Sequence, residues 1–363
     1  MGNKLIVPVR IIFSGFAFLY LVLPIPFVDG IRELAGFGPY DNFEYSYISI
    51  LSIFIFLAVY LIIPNVLSID KLYIKKNIIN FYILFKLLTL FFFIYVIYII
   101  YITGINFYEN KVEAHNAYEA LSTLYKIRFL FNIILVLLIL DLCQNGFSKW
   151  HLIFFISPVL LEAAYSKHNY ITLFLVYLYI YSINKIKNRK VVYITFFIIL
   201  VILLFARYIL YSSSVGSIYS LLSAIFGEFN LSWQSSFLSF KYSGDHITPL
   251  FKQDTWYSDY FTGMEGLPYG LAGNPIAESI FYYGAFLAPF VLMLYLLGLF
   301  FIFKLAKKYQ IFAVSSIPLI FYSRDFFRFG FSGYISIYIK SIFIIFFLYL
   351  LKKYYNFYSS KYL

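Results

Sequence analysis

Charge is scarce in this chain: only 12% of its 363 residues are Asp, Glu, Lys or Arg. Hydrophobic residues make up 62% and mean hydropathy is +0.82, which excludes an ordinary water-soluble fold. A single cysteine, Cys143, excludes a disulfide framework. Histidine is nearly as rare, and His115, His151, His168 and His246 show no metal-ligand spacing with one another or with acids. No metal and no other cofactor is therefore expected. Residues 11–28 lack a small-residue cleavage site and run into Pro24 and Pro26, so they read as a retained anchor. A net charge of +11 would point to nucleic acid in a soluble protein, but here the surplus falls in gaps on one side of a membrane. Anionic lipid headgroups account for it, and no nucleic-acid partner is expected.

What the chain has in abundance is apolar runs. Ten can be read, at 10–28, 45–64, 78–104, 127–143, 150–165, 169–184, 192–210, 279–303, 311–323 and 334–351. A bilayer core needs about 20 apolar residues per helix, and most of these runs reach that length. Two fall short: 311–323 carries Pro318, and 150–165 carries Pro158 and Glu162, so each is a candidate for a kinked or partly re-entrant helix. Of the 28 cations, 16 lie in alternate gaps, among them Lys4, Lys71, Lys75, Lys76, Lys149, Lys185, Lys304, Lys308 and Lys352. Of the 17 acids only Asp70 and Asp141 share those gaps. The positive-inside rule makes that side cytoplasmic and places both termini there. The expected architecture is an all-α polytopic membrane protein of about ten transmembrane helices in one integral membrane domain. Helices 1–7 fall within 1–210, a large extracytoplasmic loop with short helices spans 211–278, and helices 8–10 fall within 279–363.

That outer loop dwarfs the others, whereas a transporter that alternates access usually keeps small loops and a site at the bilayer midplane. Only Lys86 and Lys340 lie deep in helices. Within the loop, 216–226 reads as a short amphipathic helix in the interface. Residues 228–251 form a polar and aromatic stretch with turn signals at Gly244 and Pro249. The glycine-rich run 263–275 reads as a non-helical loop, mobile or close-fitting. The next helix starts with Asn274 as N-cap, Pro275 at its first position and Glu278 in its first turn. Glu278 has two readings. It complements the helix dipole, or it is a general base or hydroxyl-orienting carboxylate beside the aromatic patch Phe281, Tyr282 and Tyr283.

The outer cations break the topology rule, which gives them interest. Arg207 closes the seventh helix; Arg324 and Arg328 flank Asp325 in a tight turn, SRDFFRFG; Lys126 and Arg128 open the fourth helix. Lys167 and His168 occupy the turn YSKHNY. Such a set at one membrane level suggests an anionic ligand, and the planar fork of Arg suits phosphate. The alternative is a ring of snorkelling or salt-bridged interface residues. Glu162 is expected to pair with Lys167. His246 and His115 read as solvated loop residues or as a base near the outer surface. His151 is too solitary to support a membrane acyltransferase.

Three local features carry a resemblance. They are the tight turn SKHN over 166–169, the large outer loop followed by NPIAESIFYYG over 274–284, and the Arg324/Arg328 turn before the final helix. The chain resembles the O-antigen or capsule repeat-unit polymerases (Wzy) and is similar in layout to O-antigen ligases and other GT-C-like polyprenyl-linked glycan transferases. Where that family often has Ser-Arg, this chain has Ser166-Lys167, which keeps the charge but loses bidentate geometry.

The resemblance implies a glycosyltransferase that joins undecaprenyl-pyrophosphate-linked oligosaccharides at the outer face of a bacterial inner membrane. A partner protein that sets chain length belongs to the same picture. Glu278, Arg324, Arg328 and Arg207 would be catalytic; Lys167, His168, Arg128, Asn274, Tyr283 and His246 would bind substrate. Trp233, Trp256, Tyr257, Tyr260 and Tyr269 would stack on sugar rings or pack the loop. Neither ATP nor a nucleotide sugar is needed, in agreement with the absence of a cytoplasmic phosphate-binding glycine loop. A ligase of the same layout and a lipid-linked oligosaccharide flippase are the alternatives.

Overall fold

A computed structural model describes residues 4–28, 40–103, 123–164, 169–186, 190–192, 194–195, 227–243, 260–261, 263–266 and 273–359. Almost everything described is helical. The helices are α1 (Val9–Ala17), α2 (Asn42–Ile62), α3 (Lys71–Asn77), α4 (Tyr82–Thr103), α5 (Thr123–Gln144), α6 (Lys149–Ala164) and α7 (Asn169–Lys185). Then come α8 (Gly227–Lys241), α9 (Pro275–Lys308), α10 (Gln310–Ser315), α11 (Ile317–Phe321), α12 (Ser323–Phe329) and α13 (Phe331–Ser359). Among the described residues five stretches are long and apolar enough to cross a bilayer: Val9–Phe27, Asn42–Ile62, Tyr82–Ile102, Pro275–Lys308 and Tyr334–Phe357. The segments expected at 150–165 and 169–184 are helices of 16 and 17 residues, at the lower limit of about 17 for a full crossing. The one expected at 311–323 is split into α10 and α11 at Ser316, with Pro318 in the first turn of α11. Nearly all of 192–210 lies outside the described residues, as does the 216–226 amphipathic stretch.

Outward-facing side chains follow helical spacing. Phe286, Phe290, Leu294, Leu297 and Phe301 line one exposed stripe of α9, and Ile83, Leu87, Leu90 and Ile94 another on α4. Apolar stripes of that extent suit a helix that faces lipid. The opposite faces meet in an aromatic-rich core, where Phe13 packs edge-on against Phe303, Phe327 and Tyr334.

One short sheet departs from the all-α expectation. Strand β1 (Lys4–Val7) pairs antiparallel with β2 (Leu67–Asp70), Lys4 opposite Asp70 and Val7 opposite Leu67. Alternation buries Leu5, Val7, Leu67 and Ile69 on one face. Side-chain amides satisfy the free backbone groups. Asn184 accepts from Ile6 N–H at 3.0 Å and donates to its carbonyl at 2.7 Å, while Gln310 accepts from Asp70 N–H at 2.9 Å. At the same end Gln144 donates to the carbonyls of Ile78 and Ile79, and Lys352 to those of Lys75 and Ile78. Gaps assigned to one side by charge therefore meet at one end of the bundle.

Helix α9 is not continuous. Gly284, at φ 75° and ψ 163°, breaks it between a short first segment and the apolar rod 285–308. Pro289 lacks the N–H that would bond to the carbonyl of Ala285, and the hydroxyl of Tyr47 donates to that carbonyl instead. Rod 285–308 alone spans about 36 Å at 1.5 Å per residue, enough for the hydrocarbon layer.

Candidate functional site

The first segment of α9 starts as its sequence suggests. Asn274 is the N-cap, its Oδ1 accepting from Ala277 N–H at 2.8 Å. Its amide also donates to the carbonyl of Ser232 and, at 2.8 Å, to Ser236 Oγ. Those serines belong to α8, the helix formed by the first part of the polar and aromatic stretch; the turn signals at Gly244 and Pro249 lie outside the described residues. Ser232, Ser236 and Ser239 lie at i, i+4 and i+7 and are fully buried, and Ser239 Oγ donates to the carbonyl of Ala277 at 3.0 Å. Small side chains at that spacing let two backbones approach closely. On another face of α8, Trp233 and Phe237 meet Tyr45 and Tyr40 from the start of α2.

Glu278 is buried, at 1% exposure. Its Oε2 accepts from Phe331 N–H at 2.5 Å, so it caps the N-terminus of α13 as well as sitting in the first turn of its own helix. Gly330 permits this. It ends α12 at φ 100° and ψ −175°, and a Cβ there would stand 2.4 Å from Oε2. Glu162 repeats the device. Its carboxylate accepts from Tyr170 and Ile171 N–H at 2.5 and 3.2 Å, capping α7. Lys167, the expected partner of Glu162, lies outside the described residues.

The expected tight turn SRDFFRFG is the seven-residue helix α12. Arg324, only 4% exposed, donates from Nε to the hydroxyl of Tyr20 at 2.8 Å. Tyr20 lies in a widened π-helical turn over Phe18–Val22, where Leu23 N–H reaches the carbonyl of Phe18, and its ring packs edge-on against Phe229 of α8 at 4.8 Å. Arg328 lies in the last turn of α12, two residues before Gly330, and is half-buried. The π-helical turn Phe18–Val22 and helices α8, α9, α12 and α13 thus gather Tyr20, Asn274, Glu278, Arg324 and Arg328 at the end of the bundle opposite the β1–β2 sheet.

Tyr283 is half-buried on the segment just before Gly284. Arg207, His168 and His246 lie outside the described residues, and so does the side chain of Arg128 on α5. Trp233 is fully buried, which agrees with the packing alternative and not with sugar stacking. Tyr260 likewise packs against Tyr242, Phe261 and Phe281; Trp256, Tyr257 and Tyr269 lie outside the described residues. Near that cluster Lys241 Nζ donates to Glu265 at 2.6 Å, which holds the Glu265 carboxyl below its ordinary range and raises Lys241.

Two expectations at the other end also need correction. His151 is not solitary: its Nε2 meets Asp141 at 2.9 Å and its Nδ1 meets the Tyr177 hydroxyl at 3.1 Å. Because Ser148 N–H also points at Nδ1, at 3.4 Å, that nitrogen is the acceptor and the proton sits on Nε2. Lys86 lies one turn into α4, its Nζ over the rings of Tyr82 and Trp150, at a helix end and not deep in the bundle. Among the described residues no group of three or more His, Cys, Asp or Glu could hold a metal ion.

No protein-family model, no curated protein and no solved structure matches the chain.

Proposed function

We propose that this chain is a polytopic membrane glycosyltransferase of about ten spans, with both termini cytoplasmic, that polymerises undecaprenyl-pyrophosphate-linked oligosaccharide repeat units into O-antigen or capsular polysaccharide. One observation carries the reading: the turn at Gly330 and Phe331 that follows α12, the helix bearing Arg324 and Arg328, lies against the buried carboxylate of Glu278 at the bundle end away from most of the lysines. The resemblance in layout supports it. In the proposed reaction a hydroxyl of the incoming unit attacks the anomeric carbon of the growing chain, and polyprenyl pyrophosphate departs. Arg324 and Arg328 carry the charge developing on that leaving group, where fixed cations in a dry site act strongly. Glu278, held in place by Phe331 N–H, orients or takes the acceptor proton, a role typically contributing about 10²–10⁴-fold. Arg207, Arg128, Lys167, His168 and His246 are proposed to hold the second lipid phosphate or the sugars, with Asn274 and Tyr283 along the site wall. A chain-length regulator is the proposed protein partner.

The test is incubation of purified protein with lipid-linked repeat units, read on a gel. A ladder of products is expected from the wild type and none from Arg324→Ala or Arg328→Ala at equal expression. Movement of lipid across vesicles without a new bond would instead identify a flippase, and a single transfer onto another acceptor a ligase.

A further inference from the structure

The bond between Arg324 and Tyr20 joins residues 304 positions apart, one in the first apolar segment and the other in α12, just past the penultimate one. Both side chains are almost fully buried, at 4% and 2% exposure. Tyr20 is presented by a π-helical turn, a widening that a regular helix does not need and that recurs at functional sites. Without that extra residue in the turn, side chains beyond it would rotate by about 100° around the helix. Phe229 of α8 holds the ring edge-on at 4.8 Å, so the hydroxyl has little freedom. A guanidinium is flat, and a bond at Nε fixes both its plane and the direction in which its two terminal nitrogens point.

We propose that Tyr20 is a positioning residue for an arginine that recognises a pyrophosphate-bearing lipid. The assignment rests on the function proposed above. The tyrosine touches no reacting atom. It holds the Arg324 fork in the orientation that two oxygens of one phosphate need, so that the ordering of a long flexible side chain is complete before the ligand arrives. Tyr20→Phe removes one oxygen and leaves the ring packing intact. Releasing one rotamer-rich side chain is expected to weaken binding about tenfold.

The experiment uses the full chain in lipid nanodiscs, with undecaprenyl pyrophosphate as the charged probe and undecaprenol as the neutral one. Wild type should prefer the pyrophosphate. Tyr20→Phe should lose about tenfold in affinity for it while undecaprenol binding stays the same. Arg324→Lys should also weaken pyrophosphate binding, and adding Tyr20→Phe to it should change nothing further, because lysine has no fork to orient. A merely structural tyrosine would instead weaken both backgrounds and both probes, which overturns the inference. Unchanged pyrophosphate affinity in Tyr20→Phe overturns it as well, with the proposed function intact. Absence of any pyrophosphate preference in the wild type overturns the proposed function and this assignment together.

Discussion

Replacing Gly330 with alanine tests the junction on which the candidate site is built. Two separate penalties apply. The backbone at φ 100° and ψ −175° lies in a region that only glycine occupies comfortably, and strain of that kind costs about 1–3 kcal/mol. The added methyl would also stand 2.4 Å from Oε2 and 2.8 Å from Cδ of Glu278, so the carboxylate must leave. Its hydrogen bond to Phe331 N–H then goes, and bonds to a charged group contribute about 1.5–3 kcal/mol. The expected destabilisation is therefore roughly 3–6 kcal/mol. In a Glu278→Ala background only the backbone part should remain, about 1–3 kcal/mol. Unfolding by denaturant in mixed micelles, run as a double-mutant cycle over the four proteins, reads both numbers. Equal penalties in the two backgrounds would show that Glu278 does not lie against Gly330. A penalty well under about 1 kcal/mol would show that position 330 does not hold a positive φ.

The remaining predictions concern other parts of the molecule. Ser239→Leu should lower the thermal midpoint through overpacking of about 1–3 kcal/mol, since Ser239 is fully buried where α8 meets α9; an unchanged midpoint would refute that packing. His151→Phe should cost about 1.5–3 kcal/mol by removing the Nε2–H donor from the buried Asp141 carboxylate, which keeps its bond from Asn145 at 2.7 Å, and adding Asp141→Leu should recover part of it. A double variant less stable than the single one would contradict the pair. The Lys241–Glu265 pair, 59% and 20% exposed, should contribute at most about 1 kcal/mol at neutral pH. Because the folded-state pKa of Glu265 is depressed, that contribution is present above its unfolded value and disappears as pH falls through the folded one. Glu265→Gln should therefore lower stability slightly at neutral pH and leave it unchanged once the pH is below the depressed folded-state pKa of Glu265; an effect that persists in acid would argue against the pair.

Features that depend on residues close together in the chain were legible before any coordinates. Apolar runs mark the helices, and Asn274, Pro275 and Glu278 announce the start of α9 because a cap involves only neighbours within one turn. Asp41 and Asp70 cap α2 and α3 by the same local logic, each accepting from N–H groups two or three residues on. The alternation of charge between gaps likewise anticipated which gaps meet at one end.

Other features depend on which helix lies beside which, and there the sequence is silent. Lipid and a protein core are both apolar, so hydrophobicity cannot say which face of α4 or α9 is buried. Serines at helical spacing in a polar stretch do not reveal a buried helix until α9 is placed against them. Glu278 reads as a local dipole partner or a base, yet it reaches Phe331, 53 residues away. Arg324 reads as one of several outer cations, yet its Nε meets the hydroxyl of Tyr20, 304 residues away. A hydrogen bond needs its two atoms within about 3 Å and aligned, and for groups on different helices only the packing of the whole bundle decides that distance.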